Sequence, residues 1–291
     1  MSSPTPLSLL EEERRRSPRK TDAERVADIA ARLVAELGVE PPIPLEVVAS
    51  FRDIADIQVV AMEQAGSLAP GPRNLEMRLR AEDSPRRRRF TGFHEVGHTF
   101  QPGYRELTLF RCAAPSPVRR PGADRETLAD VAASELLLPR DHFGPATLES
   151  DFSIASVVDL SDRYEASREA TAYRFAHFWP EPTLVVILEP GLRRDERDDP
   201  EAVAKLRVVS AWPYPPGAWP FIPKNKSALE DGVLVRALDG EMVREKAGLE
   251  EFGLMSEGTV EVSARVFGYS RGGELGRRVI AIFRRVGEAD G

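Results

Sequence analysis

Apolar positions recur at helical spacing through the front half of the chain. Val26, Ile29, Ala30, Leu33 and Val34 fall at i, i+3, i+4, i+7 and i+8, which predicts an amphipathic helix over 22–37 ended by Gly38. A short helix over 45–51 follows the turn Pro41-Pro42-Ile43-Pro44, and strands are expected at 57–62 and 75–80. The proline-free stretch Arg86 to Gln101, stopped by Pro102-Gly103, predicts another helix. In DRETLADVAASELLL, residues 124–138, Glu126, Ala129, Ala133 and the Leu136–Leu138 cluster repeat at helical spacing before Pro139. Helices over 154–163 and 167–178 come next, joined tightly at Tyr164-Glu165-Ala166.

Beyond Glu181-Pro182 the texture changes to short β-branched runs at 184–188, 206–211, 233–238 and 279–283. Residues 259–267 alternate, with Val260, Val262, Ala264 and Val266 on one face and Glu261, Ser263 and Arg265 on the other. A helix over 241–252 is expected between them. The organisation predicted is a poorly ordered, charged tail at 1–20, a mainly helical domain with a small sheet at 21–145, a helix pair at 146–180 and a separate α+β unit at 181–291. The fold class is α+β.

Composition narrows the function. The chain of 291 residues has 42% hydrophobic and 30% charged residues, a balance that suits a water-soluble globular protein of about two domains. No apolar run approaches 18 residues, so no membrane helix is expected, and the N-terminus lacks the apolar core of a signal peptide. Cys112 is the only cysteine; it excludes an internal disulfide, fits a reducing cytoplasm, and reads as a small apolar residue before it reads as a ligand. A net charge of −7 argues against a broad nucleic-acid surface. The clusters Arg14–Arg16, in the expected tail, and Arg86–Arg89 are local exceptions; the second reads as a solvated face, with steering of an acidic partner as the alternative.

The candidate chemistry is His94-Glu95-Val96-Gly97-His98. On a helix the two histidines lie one turn apart on one face and can share a metal ion. Glu95 stays free to act as general base toward a water. This H-E-x-x-H pattern is short and needs a third ligand. Glu126, on the next strong helix, is the candidate, with Glu135 as a rival placed among Leu136–Leu138 for packing reasons. Asp130, four residues after Glu126, can accept the free ring N–H of one histidine. His₂-carboxylate suits zinc, and manganese accepts the same ligands. Tyr104 and His142 stand near these motifs and are candidate oxyanion donors.

The pair of motifs, HEVGH at 94–98 and ETLADVAASELLLP at 126–139, resembles the ImmA/IrrE family of metallopeptidases, glutamate-zincins that follow H-E-x-x-H with E-x-x-A-x-x-x-A-x-x-L-L-x-P. The resemblance covers about residues 22–180. It implies a zincin-like domain, with His94, His98 and Glu126 as metal ligands, Glu95 as catalytic residue and Asp130 supporting a histidine. It also implies a protein substrate, an Xre-type helix-turn-helix repressor whose cleavage relieves a stress, prophage or mobile-element regulon. VDLSDRYEASREATAYRF at 158–175 is similar to the family's helix-turn-helix-like pair. Some members carry a GAF-like sensor after the peptidase, and 181–291 has the size and α+β character for one.

The helix pair could instead bind DNA. Yet Asp151, Asp159, Asp162, Glu165 and Glu169 outnumber Arg163, Arg168 and Arg174 there, so packing or repressor docking is the better reading. The competing function is a non-catalytic regulator or antitoxin-like protein that uses the peptidase fold only to bind.

Overall fold

The computed structural model describes residues 8–71, 74–104, 110–111, 123–247, 249–252, 260–271 and 274–285. Cys112 and residues 1–7 of the expected tail lie outside them. The chain divides into two compact units, Met1–Gly144 with Ser161–Ser167, and Pro145–Leu160 with Arg168–Gly291. Each unit combines helices with one sheet, so the fold is α+β.

In the first unit, α1 (Leu9–Arg16) corrects part of the expected tail. Ser8 and Glu11 form a reciprocal capping box that satisfies two backbone donors at the helix start. Leu10 is buried and its N–H donates to the Phe100 carbonyl at 2.9 Å. Burial of such a leucine contributes about 2 kcal/mol. A single buried edge on a charged helix leaves little trace in composition, which is why the segment reads as a tail. Helix α2 (Asp22–Leu37) buries the stripe Val26, Ile29, Ala30, Leu33 and Val34, and a second capping box joins Thr21 to Glu24. Helix α3 (Leu45–Ser50) follows.

The first sheet holds β1 (Ile54–Val60), β2 (Gly66–Pro70), β3 (Leu75–Arg80) and β4 (Phe110–Arg111) in the order β1-β3-β2-β4. Strands β1 and β3 are parallel, and β2 is antiparallel to both its neighbours. Leu68, Met77 and Leu79 are buried, and α4 (Pro85–His98) lies against β2 and β3. Helix α5 (Ala123–Leu137) packs on α4 and α2.

The chain passes between units within α6 (Arg140–Leu148) and α7 (Ile154–Arg163). In the second unit, α8 (Arg168–Phe178) packs on a sheet of β5 (Thr183–Gly191), β6 (Lys205–Tyr214), β7 (Val243–Ala247), β8 (Val260–Arg271) and β9 (Glu274–Arg285). The order is β6-β5-β9-β8-β7, antiparallel throughout. The unbroken apolar run of β5 is buried on both faces, as expected of a central strand. Leu184, Val186 and Leu188 face a core shared with α9 (Val233–Leu238) and Phe252.

Two expectations are reversed here. Residues 233–238 are helix α9 rather than a strand, because Val233, Leu234 and Ala237 are buried at helical spacing against the sheet. Residues 241–252, expected helical, are edge strand β7 followed by a 3-10 turn at Leu249–Phe252. Pairing with β8, together with the Arg244–Glu261 ion pair at 2.8 Å, overrides the helix propensity of Glu245, Lys246 and Ala247.

Candidate metal centre

Helix α4 starts at Ser84, whose side chain accepts from the Arg87 N–H, and carries proline in its first turn, where a missing N–H costs nothing. The arginines after it fasten the fold. Arg88 donates to the carbonyls of Ala81 and Asp83 at 3.0 and 2.6 Å, Arg86 pairs with Asp162, and Arg89 lies 3.4 Å from Glu165. The distal half of α4, Thr91 to His98, is wholly buried.

Helix α5 crosses α4 closely enough to bring its carboxylates to the histidines, and Gly97 permits this. A Cβ on Gly97 would fall 2.8 Å from the Ala132 Cβ and 3.0 Å from both the Cα and the carbonyl oxygen of Ala129. The start of α5 is also tied to the loop after α4. Gln101 Nε2 donates to the Arg125 carbonyl at 2.8 Å, and Arg125 Nη2 donates to the Pro102 carbonyl at 3.0 Å.

His94, His98 and Glu126 thereby come together, with ligand atoms within 4.8 Å of one another. The two Nε2 atoms are 3.1 Å apart. Glu126 Oε2 is 3.1 Å from His94 Nε2, and Oε1 is 3.8 Å from His98 Nε2. His94 Nδ1 lies 2.8 Å from Asp130 Oδ1; with the proton on Nδ1, the Nε2 lone pair faces the cluster. Burial pushes the His98 pKa down to about 3, aided by the charges of His94 and Arg125, so this imidazole is neutral at ordinary pH. Two imidazole nitrogens and one carboxylate that converge in this way form a donor set that fits a divalent cation.

Glu95 points elsewhere. It is fully buried, and neither carboxylate oxygen has a hydrogen-bond partner among the described residues. Burial pushes its carboxyl up to about 8; His94 opposes the shift and Glu126 adds to it. Such a group binds its proton more tightly in the folded chain, so stability contributed below the ordinary value of 4.5 is lost as pH rises toward 8. Metal-free Glu95→Gln, neutral at every pH, is expected to show a Tm advantage over wild type that grows from pH 5 to pH 8 in scanning calorimetry. A difference that stays constant across that range would contradict the burial argument.

The remaining candidates have other contacts. Glu135 is buried and accepts from Arg140 N and Nε at 2.8 and 3.0 Å, a capping role that occupies the rival ligand. The Tyr104 ring lies 6.0 Å from the Arg52 guanidinium, and His142 Nδ1 lies 3.5 Å from Glu40 Oε2. Sequence reading missed Gly66 and Gly97. Gly66 of β2 sits above Glu95: a Cβ there would fall 2.4 Å from Thr91 Cγ2 and 2.9 Å from Glu95 Oε1. A glycine within a strand or helix pattern is the signal that could have found them.

An H-E-x-x-H helix under an antiparallel strand thus meets a carboxylate from the next helix, an arrangement able to hold a metal ion. Residues 52–176 match the family model Peptidase_M78, the IrrE N-terminal-like domain. That stretch is similar to the peptidase domain of the ImmA/IrrE family, whose peptidases depend on a metal. A solved structure of a Mycobacterium tuberculosis transcriptional regulator is similar in fold, with a TM-score of 0.56 and 14% identity over 95% of this chain and 80% of that one. No curated protein matches the sequence. No helix among the described residues is long and apolar enough to cross a membrane.

Proposed function

We propose that the protein is a zinc- or manganese-dependent endopeptidase of the cytoplasm that cleaves a helix-turn-helix repressor of the Xre type. The observation that carries this reading is the convergence of His94, His98 and Glu126 beside a buried carboxylate with unpaired oxygens. A cation held by those three residues would polarise a peptide carbonyl and acidify water. Glu95 would take the proton of the attacking water and deliver it to the leaving amine, the role that suits a desolvated carboxyl beside a cationic site. Asp130 would keep His94 in the liganding tautomer. The family match supports hydrolysis, and a protein of like fold described as a transcriptional regulator accords with a substrate in transcription control. The second unit, with its five-stranded sheet, would be the regulatory part, in the manner of a GAF-like sensor.

Elemental mass spectrometry on purified wild type, Glu95→Gln and Glu126→Ala tests the site. The first two are expected to hold about one metal ion per chain, and Glu126→Ala much less, since a set of three protein ligands loses one. Wild type that takes up neither zinc nor manganese would overturn the peptidase reading and leave a partner-binding module. Loaded wild type incubated with folded Xre-type repressors then tests the substrate class.

A further inference from the structure

Thr91 stands one helical turn before Glu95, on the same face of α4, and both side chains are fully buried. Three polar atoms there have no hydrogen-bond partner among the described residues: Thr91 Oγ1 and the two carboxylate oxygens of Glu95. Each such atom gave up its bonds to water on burial, so three left unpaired together need a reason. A buried threonine hydroxyl in a helix commonly bonds back to the carbonyl one turn earlier, and this one does not. The roof over both residues is Gly66 of β2. The Thr91 methyl and Glu95 Oε1 crowd the same point, the place a Cβ on Gly66 would take. Threonine in a helix uses two χ1 rotamers. A turn of about 120° carries the hydroxyl to where the methyl now sits, beside the carboxylate.

We propose that Thr91 is a positioning residue for Glu95: its hydroxyl donates to the carboxylate oxygen under Gly66 and so turns the other oxygen toward the His94–His98–Glu126 cluster. The catalytic part of this inference rests on Glu95 being the general base; the hydrogen bond itself does not. A general base must present one oxygen to a water in a fixed direction. A donor on its far side fixes the Glu95 carboxylate about its last bond. Gly66, having no Cβ, leaves the space that both side chains occupy.

Thr91→Val keeps shape and volume and removes the donor, and Thr91→Ser keeps the donor. The infrared difference between each protein and its Glu95→Gln counterpart isolates the Glu95 carboxyl band, with no substrate needed. In Thr91→Val the band is expected to move from its wild-type frequency, and in Thr91→Ser to stay. Metal content should be the same in all three. Against a cleaved repressor, Thr91→Val should lower kcat about tenfold with KM unchanged, the worth of one hydrogen bond made to the reacting group. Thr91→Ser should restore most of it. A Glu95 band at the wild-type frequency in Thr91→Val would overturn the proposal whatever the cleavage assay gives. A shifted band in a protein that cuts nothing would uphold the hydrogen bond and remove the peptidase reading instead.

Discussion

Glu95→Gln is expected to lower repressor cleavage by at least roughly 10²- to 10⁴-fold in kcat while leaving metal content at the wild-type level. The two halves of this result separate a general base from a ligand. Glu95 takes no place among the atoms that converge at His94, His98 and Glu126, so its replacement leaves the donor set intact. Glutamine has nearly the same shape and fits the same buried space, but it cannot accept a proton from water at neutral pH. The metal-free carboxyl sits near 8, and a positive charge beside it favours the ionised form, bringing it toward the range in which a base works. Single-turnover cleavage of a repressor by metal-loaded wild type and variant checks this. Near-wild-type cleavage by Glu95→Gln would assign the base elsewhere, and loss of metal from the variant would make Glu95 a ligand.

Much of the centre was legible because its parts are local. His94 and His98 face the same way by helical period alone, and Glu126 and Asp130 share a face of α5 for the same reason. What brings those two faces together is not local. It depends on a close crossing of α4 and α5, where a Cβ at position 97 would meet the Ala129 backbone and the Ala132 side chain. Strand β2 was illegible for a similar reason. Gly66-Ser67-Leu68-Ala69-Pro70 carries the residues of a turn, and only pairing with β3 on one side and β4 on the other makes it a strand.

The exchange of helix and strand between α9 and β7 shows where pattern reading fails. Val233-Leu234-Val235-Arg236-Ala237-Leu238 is too short for its period to choose between two faces of a strand and one face of a helix. Packing decided, by burying Val233, Leu234 and Ala237 against the sheet. The charged strand Val243-Arg244-Glu245-Lys246-Ala247 lies at the sheet edge, where charge discourages further pairing and masks the strand signal. The central strand β5, buried on both faces, was legible because its apolar run leaves no such choice.

Gly97→Val should be the most damaging substitution in the first unit that touches no ligand. Its Cβ meets backbone as well as side chain: the Cα and carbonyl of Ala129 at 3.0 Å, and the Ala132 Cβ at 2.8 Å. Backbone of a helix cannot swing aside as a side chain does, so α5 must move bodily away from α4. Overpacking of this kind costs about 1–3 kcal/mol and occasionally more. A helix-interior glycine is itself about 1 kcal/mol worse than alanine, which offsets part of the loss in Gly97→Ala but less in Gly97→Val, where the branch adds bulk. Moving α5 also carries Glu126 and Asp130 away from the histidines, so metal affinity should fall together with stability. Gly97→Ala is therefore expected to lower Tm despite its better helix propensity, and Gly97→Val to lower it further. Ala132→Gly should recover part of the loss in Gly97→Ala, because it removes the side-chain contact and leaves the backbone one. Calorimetry and zinc titration of the three variants read both quantities. A Gly97→Val protein with wild-type Tm and metal affinity would mean that the crossing of α4 and α5 is looser than these distances allow.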